Sequence, residues 1–214
     1  MKVGADSVLL GAWMDLCGAG RLLDVGCGCG ILALMAAQKL SGASFKIDAI
    51  DIDAGAVADA ADNFAASPWA AHLAARQISL QRFAAQAAAG GYDAIFCNPP
   101  YYDSSPSGGS ESRDAARCTD TLKRSDLLDA ARYLLGQQGH LSLILPIEQG
   151  KSMIYEATVA GWSVRRQCFV KTRSDKPASR LMLELTVSAA AGQQTETLVV
   201  GDERYHQLTS EFYL

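Results

Sequence analysis

Histidine is scarce in this chain: His72, His140 and His206 lie far apart, and the six cysteines (Cys17, Cys27, Cys29, Cys97, Cys118 and Cys168) contain no Cys-x-x-Cys pair. Zinc-ligand spacing is therefore missing, and no metal is expected. Cys27 and Cys29 fall inside a glycine-rich turn, where small side chains suit a tight backbone, and the thiols are expected to be reduced and mostly buried. No stretch approaches the roughly 18 uninterrupted apolar residues of a membrane span, and no basic segment leads into an apolar run at the start. The expectation is a soluble, cytoplasmic protein. Positive charge is also short, with 19 Lys and Arg against 23 Asp and Glu and a net charge of −4. No global field draws the chain to nucleic acid, so any such contact must come from local patches.

What is present is enough for a core. At 214 residues and 49% hydrophobic content the chain supports one large domain, expected to span residues 1–214. Short apolar runs alternate with helical patterns, which argues for an α/β fold with a parallel sheet covered by helices on both faces. Strands are expected at 21–25, 45–52, near 75–80, 92–97 and 139–146, with helices at 31–40, from Asp53 toward Phe64, at 125–135 with Ser125 as cap, and at 151–160. Residues 162–170 and 180–187 suit an antiparallel hairpin, because Leu181, Leu183, Leu185 and Val187 alternate with Met182, Glu184 and Thr186. Residues 192–197 read as a polar connector. Residues 103–112, rich in Ser, Gly and Pro, read as a loop that grips substrate.

Asp24-Val25-Gly26-Cys27-Gly28-Cys29-Gly30 follows the first strand and opens the first helix of this alternation. Its glycines let the backbone approach a ligand at a helix N-terminus, where an amino-acid carboxylate can be received, and Asp24 can face a cationic end. Asp51, 21 residues beyond Gly30, ends the second strand with Ile52 beside it, and a carboxylate there can accept both hydroxyls of a ribose. Gly28-Cys29-Gly30-Ile31-Leu32-Ala33 also fits the dinucleotide pattern, so this loop alone barely separates a methyl donor from NAD.

Asn98-Pro99-Pro100-Tyr101 at the end of the fourth strand separates them. An adenine amine or a carboxamide is a poor nucleophile because its lone pair is delocalised, so it has to be held rather than deprotonated. The Asn98 side-chain oxygen and the Pro99 carbonyl can each accept one of its hydrogens, Pro100 stiffens the rim, and Tyr101 offers a face for a flipped base. A dehydrogenase explains none of this, and the expected cofactor is S-adenosylmethionine.

The chain resembles the bacterial tRNA(Val) adenine-N6-methyltransferases, and the likeness runs nearly end to end. It is carried by Lys2 to Ser7, Leu9 to Trp13, Asp24 to Gly30, Asp51, Ser67-Pro68-Trp69-Ala70, Asn98 to Tyr102, Arg113 and Arg117, and Phe212-Tyr213-Leu214. The resemblance implies a Rossmann-like class I methyltransferase fold with a seven-stranded, mostly parallel sheet, and transfer to N6 of the adenosine 3′ of the anticodon in tRNA. Members commonly carry a further segment ahead of the Lys2-Val3-Gly4 stretch, so part of the RNA or cofactor contact is expected to be missing here. Many also place an acid after the third strand for the cofactor adenine. Here Leu80-Gln81-Arg82-Phe83 has none, which leaves backbone groups and packing against Phe83.

For RNA, Arg113 and Arg117 form a helical i, i+4 pair able to bracket a phosphate. Arg165, Arg166, Lys171, Arg173, Lys176 and Arg180 make a basic edge with Asp175 as the acid opposing it in sequence, from which Arg173 and Lys176 are expected to reach RNA. The same tetrapeptide would also serve a glutamine amide in a protein, or adenine in DNA, and a non-catalytic or NAD-binding module is the alternative from another class.

Overall fold

The computed structural model describes residues 4–99, 122–188 and 192–212. In chain order these form α1 (Ala5–Trp13), β1 (Arg21–Val25), α2 (Ile31–Lys39), β2 (Lys46–Asp51), α3 (Ala54–Ala65), β3 (Leu73–Gln77), α4 (Leu80–Gln86), β4 (Tyr92–Cys97), α5 (Arg124–Leu134), β5 (Leu135–Pro146), α6 (Ile147–Val159), β6 (Ser163–Lys171), β7 (Ala178–Thr186), β8 (Gln194–Val199) and α7 (Glu203–Thr209). The strands make one sheet in the order β3-β2-β1-β4-β5-β7-β6-β8. The first five strands are mutually parallel, and β7 runs antiparallel between β5 and β6.

Period-2 alternation divides the buried residues between the two faces. On one face Leu22, Ile47, Ala49 and Phe96 pack with Trp13, Leu32, Ala36 and Phe64 from α1 to α3. On the other, Leu23, Val25, Ile50 and Ile95 pack with Leu80, Phe83, Leu127, Leu134 and Met153 from α4 to α6. Because both faces are covered, the central strands read as nearly continuous apolar runs.

Several expectations need adjustment. The sheet has eight strands rather than seven: the polar stretch from residue 194 pairs in parallel with β6 as an edge strand, and within β8 Leu198 is the residue fully buried. An edge strand wetted on both sides has no alternation to display. β3 starts at Leu73, earlier than expected, and Leu80 instead opens α4, capped by the Ser79 side chain. Ser125 is not a cap, since α5 begins at Arg124 and the Ser125 hydroxyl lies by Asp126. Asp53 does cap α3, accepting from the Ala56 N–H at 2.7 Å.

The basic edge is also different from its sequence appearance. Arg165 pairs with Asp15 and Glu184, Arg166 with Glu184 and Glu196, and Arg180 with Asp6, so acids remote in sequence neutralise these three arginines. Glu184 is fully buried between its two guanidinium partners. Removing one partner of such a pair leaves the other charge uncompensated. Glu184→Ala is therefore expected to cost about 3 kcal/mol in urea unfolding; a loss below about 1 kcal/mol would show that solvent already screens the arginines.

Candidate active site

The strand order reverses between β1 and β4, and in open α/β sheets the carboxyl ends of the strands at such a point diverge into a crevice. Val25 of β1 is level with both Ile50 of β2 and Cys97 of β4. Gly26, Asp51 and Asn98 therefore emerge side by side, within two strand spacings of about 5 Å each.

The glycine turn is built by backbone requirements. Gly26, Gly28 and Gly30 all have positive φ, at 69°, 55° and 81°. A Cβ on Gly30 would lie 2.4 Å from the Phe64 ring, whereas one on Gly26 would meet nothing within 4 Å. Gly30 is thus fixed by packing and Gly26 by conformation beside open space. The N–H groups of Gly26 and Cys27 donate to the Ile50 carbonyl, tying the turn to β2. Asp51 finishes the tie: its carboxylate accepts from the Gly28 N–H and the Asp53 N–H, each at 3.0 Å.

Asp24 is wholly enclosed. One oxygen accepts from the Ala33 N–H at 3.1 Å, while the other, Oδ1, has no partner among the described residues. Burial pushes the carboxyl up to about 8, against the pull of the Ala33 N–H and with a further push from the Asp51 charge. A buried oxygen without a donor beside a helix end that lacks a side-chain cap suits a ligand with a cationic group next to a carboxylate. The Cys27 and Cys97 thiols are pushed up by burial and by the same carboxylates, so they stay protonated.

Ile52, next to Asp51, is a large apolar side chain left 53% exposed. Phe83 is enclosed in the core, its ring tilted against Tyr92 at 6.1 Å. The exposed apolar surface beside the Asp51 carboxylate is therefore that of Ile52 rather than Phe83.

Asn98 is the first residue beyond β4, half-buried, and its Nδ2 donates to the Ser7 hydroxyl of α1 at 2.9 Å. The side-chain oxygen accepts nothing from the described residues. Pro99, which follows it, is buried. Pro100, Tyr101, Arg113, Arg117 and the expected substrate loop lie outside the described residues. Arg173 and Lys176 sit exposed on the turn between β6 and β7, Arg173 in a two-pronged pair with Asp175, far along the sheet from Asp51. Sequence reasoning placed Ser7 in the opening segment but gave it no partner; a contact across 91 positions leaves no local signal. A separate cavity of about 800 Å³, lined by Asp15, Asp93, His140 and Arg165, opens at the amino ends of β1, β4 and β5, away from these groups.

Residues 2–164 match the methyltransferase small domain family. Over its whole length the chain is 40% identical to a tRNA1(Val) (adenine(37)-N6)-methyltransferase of Photobacterium profundum, covering 92% of that protein, and 38% identical to its counterpart in Vibrio campbellii, covering 89%. The chain belongs to the tRNA1(Val) (adenine(37)-N6)-methyltransferase family. The fold agrees with that membership: a predicted O-methyltransferase of Agrobacterium tumefaciens superposes with a TM-score of 0.71 over 96% of this chain and 95% of its own, at 17% identity. Membership in a methyltransferase family favours a methyl donor over a dinucleotide, the choice that the loop by itself left open.

Proposed function

We propose that the protein methylates N6 of adenosine 37, the nucleoside 3′ of the anticodon, in a valine tRNA, with S-adenosylmethionine as donor. The observation that carries the reading is the Asn98 carboxamide, its nitrogen engaged and its oxygen without a partner among the described residues, standing level with the glycine turn at the switch point. The relatives' names supply the acceptor. When bound, S-adenosylmethionine supplies an activated methyl group on a sulfonium.

The chain's own residues do the rest. Asp51 would accept the ribose hydroxyls, Gly26 and Gly28 let the backbone come close, Ile52 packs against the base, and Asp24 Oδ1 faces the ammonium. Asn98 and the Pro99 carbonyl each accept a hydrogen from the acceptor amine, directing its lone pair outward along the transfer line. No general base is needed before transfer, because orientation supplies the acceleration. Tyr101 stacks on the base and Pro100 stiffens its support, while Arg113 and Arg117, with Arg173 and Lys176 further out, hold phosphates. An anticodon-loop adenosine is already unpaired, so its extrusion costs less than opening a duplex.

Offering total tRNA, genomic DNA and release-factor-like proteins with labelled donor tests the assignment. N6-methyladenosine in the tRNA digest is expected, and label confined to DNA or to a glutamine side chain would overturn it.

The enclosed carboxyl makes a further prediction. Because Asp24 holds its proton up to about pH 8 in the free protein, pairing it with the donor's ammonium must expel that proton. Calorimetric titration with S-adenosylhomocysteine at pH 6.5, in buffers of different ionisation enthalpy, is expected to show release of nearly one proton, and none for Asp24→Asn. The sign for folding follows the same shift. A carboxyl whose native value is raised stabilises the fold fully below its ordinary value, near pH 4, and that contribution is lost as pH climbs to about 8. Asp24→Asn should therefore make the ligand-free protein more resistant to heat at pH 8 than at pH 5, relative to the native chain; an equal difference at both would contradict the buried acid.

A further inference from the structure

We infer that Ser7 is a positioning residue for methyl transfer, acting through Asn98: its hydroxyl holds the carboxamide so that the side-chain oxygen, not the NH2, meets the acceptor amine. The inference rests on the proposed role of Asn98. A primary amide is nearly symmetric in shape and opposite in polarity at its two ends, so a half-turn about its last torsion sets donor against donor. In the structure the Asn98 Nδ2 stands 2.9 Å from Ser7 Oγ, the orientation that leaves Oδ1 without a partner among the described residues. With the acceptor amine donating to Oδ1, the arrangement that satisfies every hydrogen has Ser7 accepting from Nδ2. Turned over, the amide would gain the Ser7 hydroxyl as donor but face the amine with a second NH2.

Ser7 can do this because α1 is fastened independently of the active site. Asp6, its neighbour, pairs with Arg180 Nε of β7 at 2.8 Å. At the other end of the helix, Lys39 Nζ donates to the carbonyls of Ala12 and Met14 at 2.8 and 2.6 Å, closing groups that a helix terminus leaves open. The Arg166 guanidinium lies 4.4 Å above the Trp13 ring. Close contact between α1 and α2 is set by Gly11, where a Cβ would fall 2.6 Å from the Met35 sulfur. The hydroxyl is thus delivered on a rigid element to a residue that follows a central strand, which is the arrangement a positioned amide needs.

Ser7→Ala keeps a strong helix former in α1, so folding is expected to survive, as thermal unfolding would verify. The full chain, with valine tRNA at saturation, is then compared in single-turnover methyl transfer with Ser7→Thr and Asn98→Ala. Ser7→Ala is expected to slow transfer about tenfold, the worth of one well-made hydrogen bond, with dissociation constants for S-adenosylhomocysteine and tRNA within about twofold of native. Ser7→Thr, which retains a hydroxyl, should recover most of the rate. An unchanged rate for Ser7→Ala, a threonine variant as slow as alanine, or a loss that appears equally in ligand affinity would each overturn the inference. If Asn98→Ala is inactive while Ser7→Ala is fully active, the positioning role alone fails; if Asn98→Ala is itself active, the reading of Asn98 fails as well.

Discussion

Asn98→Ala is expected to reduce single-turnover methyl transfer by at least about a hundredfold, while the affinity for S-adenosylhomocysteine stays within about threefold of the native value. The asymmetry follows from where the amide is anchored. Its nitrogen is held by Ser7 and nothing in the glycine turn depends on it, so truncation removes the proposed acceptor for the substrate amine without disturbing Gly26, Gly28 or Asp51. Loss of cofactor affinity in parallel with rate would instead mark Asn98 as part of the donor's site.

Asp51→Ala is expected to have the opposite signature, raising the dissociation constant for S-adenosylhomocysteine about a hundredfold. Two effects combine. The carboxylate is the partner of the Gly28 and Asp53 N–H groups that set the turn, and it is the proposed acceptor of two ribose hydroxyls. A hydrogen bond to a charged group contributes about 1.5–3 kcal/mol, and about 1.4 kcal/mol is tenfold in affinity, so losing even two such bonds accounts for the change. Asp51→Asn should fall between, because it keeps one acceptor. Equilibrium titration reads both variants, and unchanged affinity in Asp51→Ala would reduce Asp51 to a strut of the turn.

Legibility of the fold in the sequence followed burial. β1, β2 and β4 are enclosed on both faces, so their apolar runs stand out, and β7 shows its alternation because it pairs antiparallel at the centre of the C-terminal half. β8 left no such trace, since a polar edge strand is defined by the neighbour it pairs with. The short α4 was obscured because Leu80 and Phe83 are core residues whose apolar character equally suited a strand end or a ligand platform. At the site, the spacing of Asp24, Gly26, Gly28, Gly30, Asp51 and Asn98 was readable because each lies at the end of a strand or in the turn that follows. What was not readable depended on distant partners. Asp6, Asp15, Glu184 and Glu196 neutralise arginines that look like an open basic edge, and Ser7 reaches Asn98 from the other side of four strands and three α-helices of intervening chain.

The central claim is that the half-engaged amide at the end of β4 steers an exocyclic amine. Its most direct test is methyl transfer to two transcripts of valine tRNA that differ at position 37, one carrying adenosine and one inosine, in which a carbonyl replaces the amine. About one methyl group per adenosine transcript, recovered as N6-methyladenosine, and none in the inosine transcript is the expected result; equal incorporation into both would contradict the account.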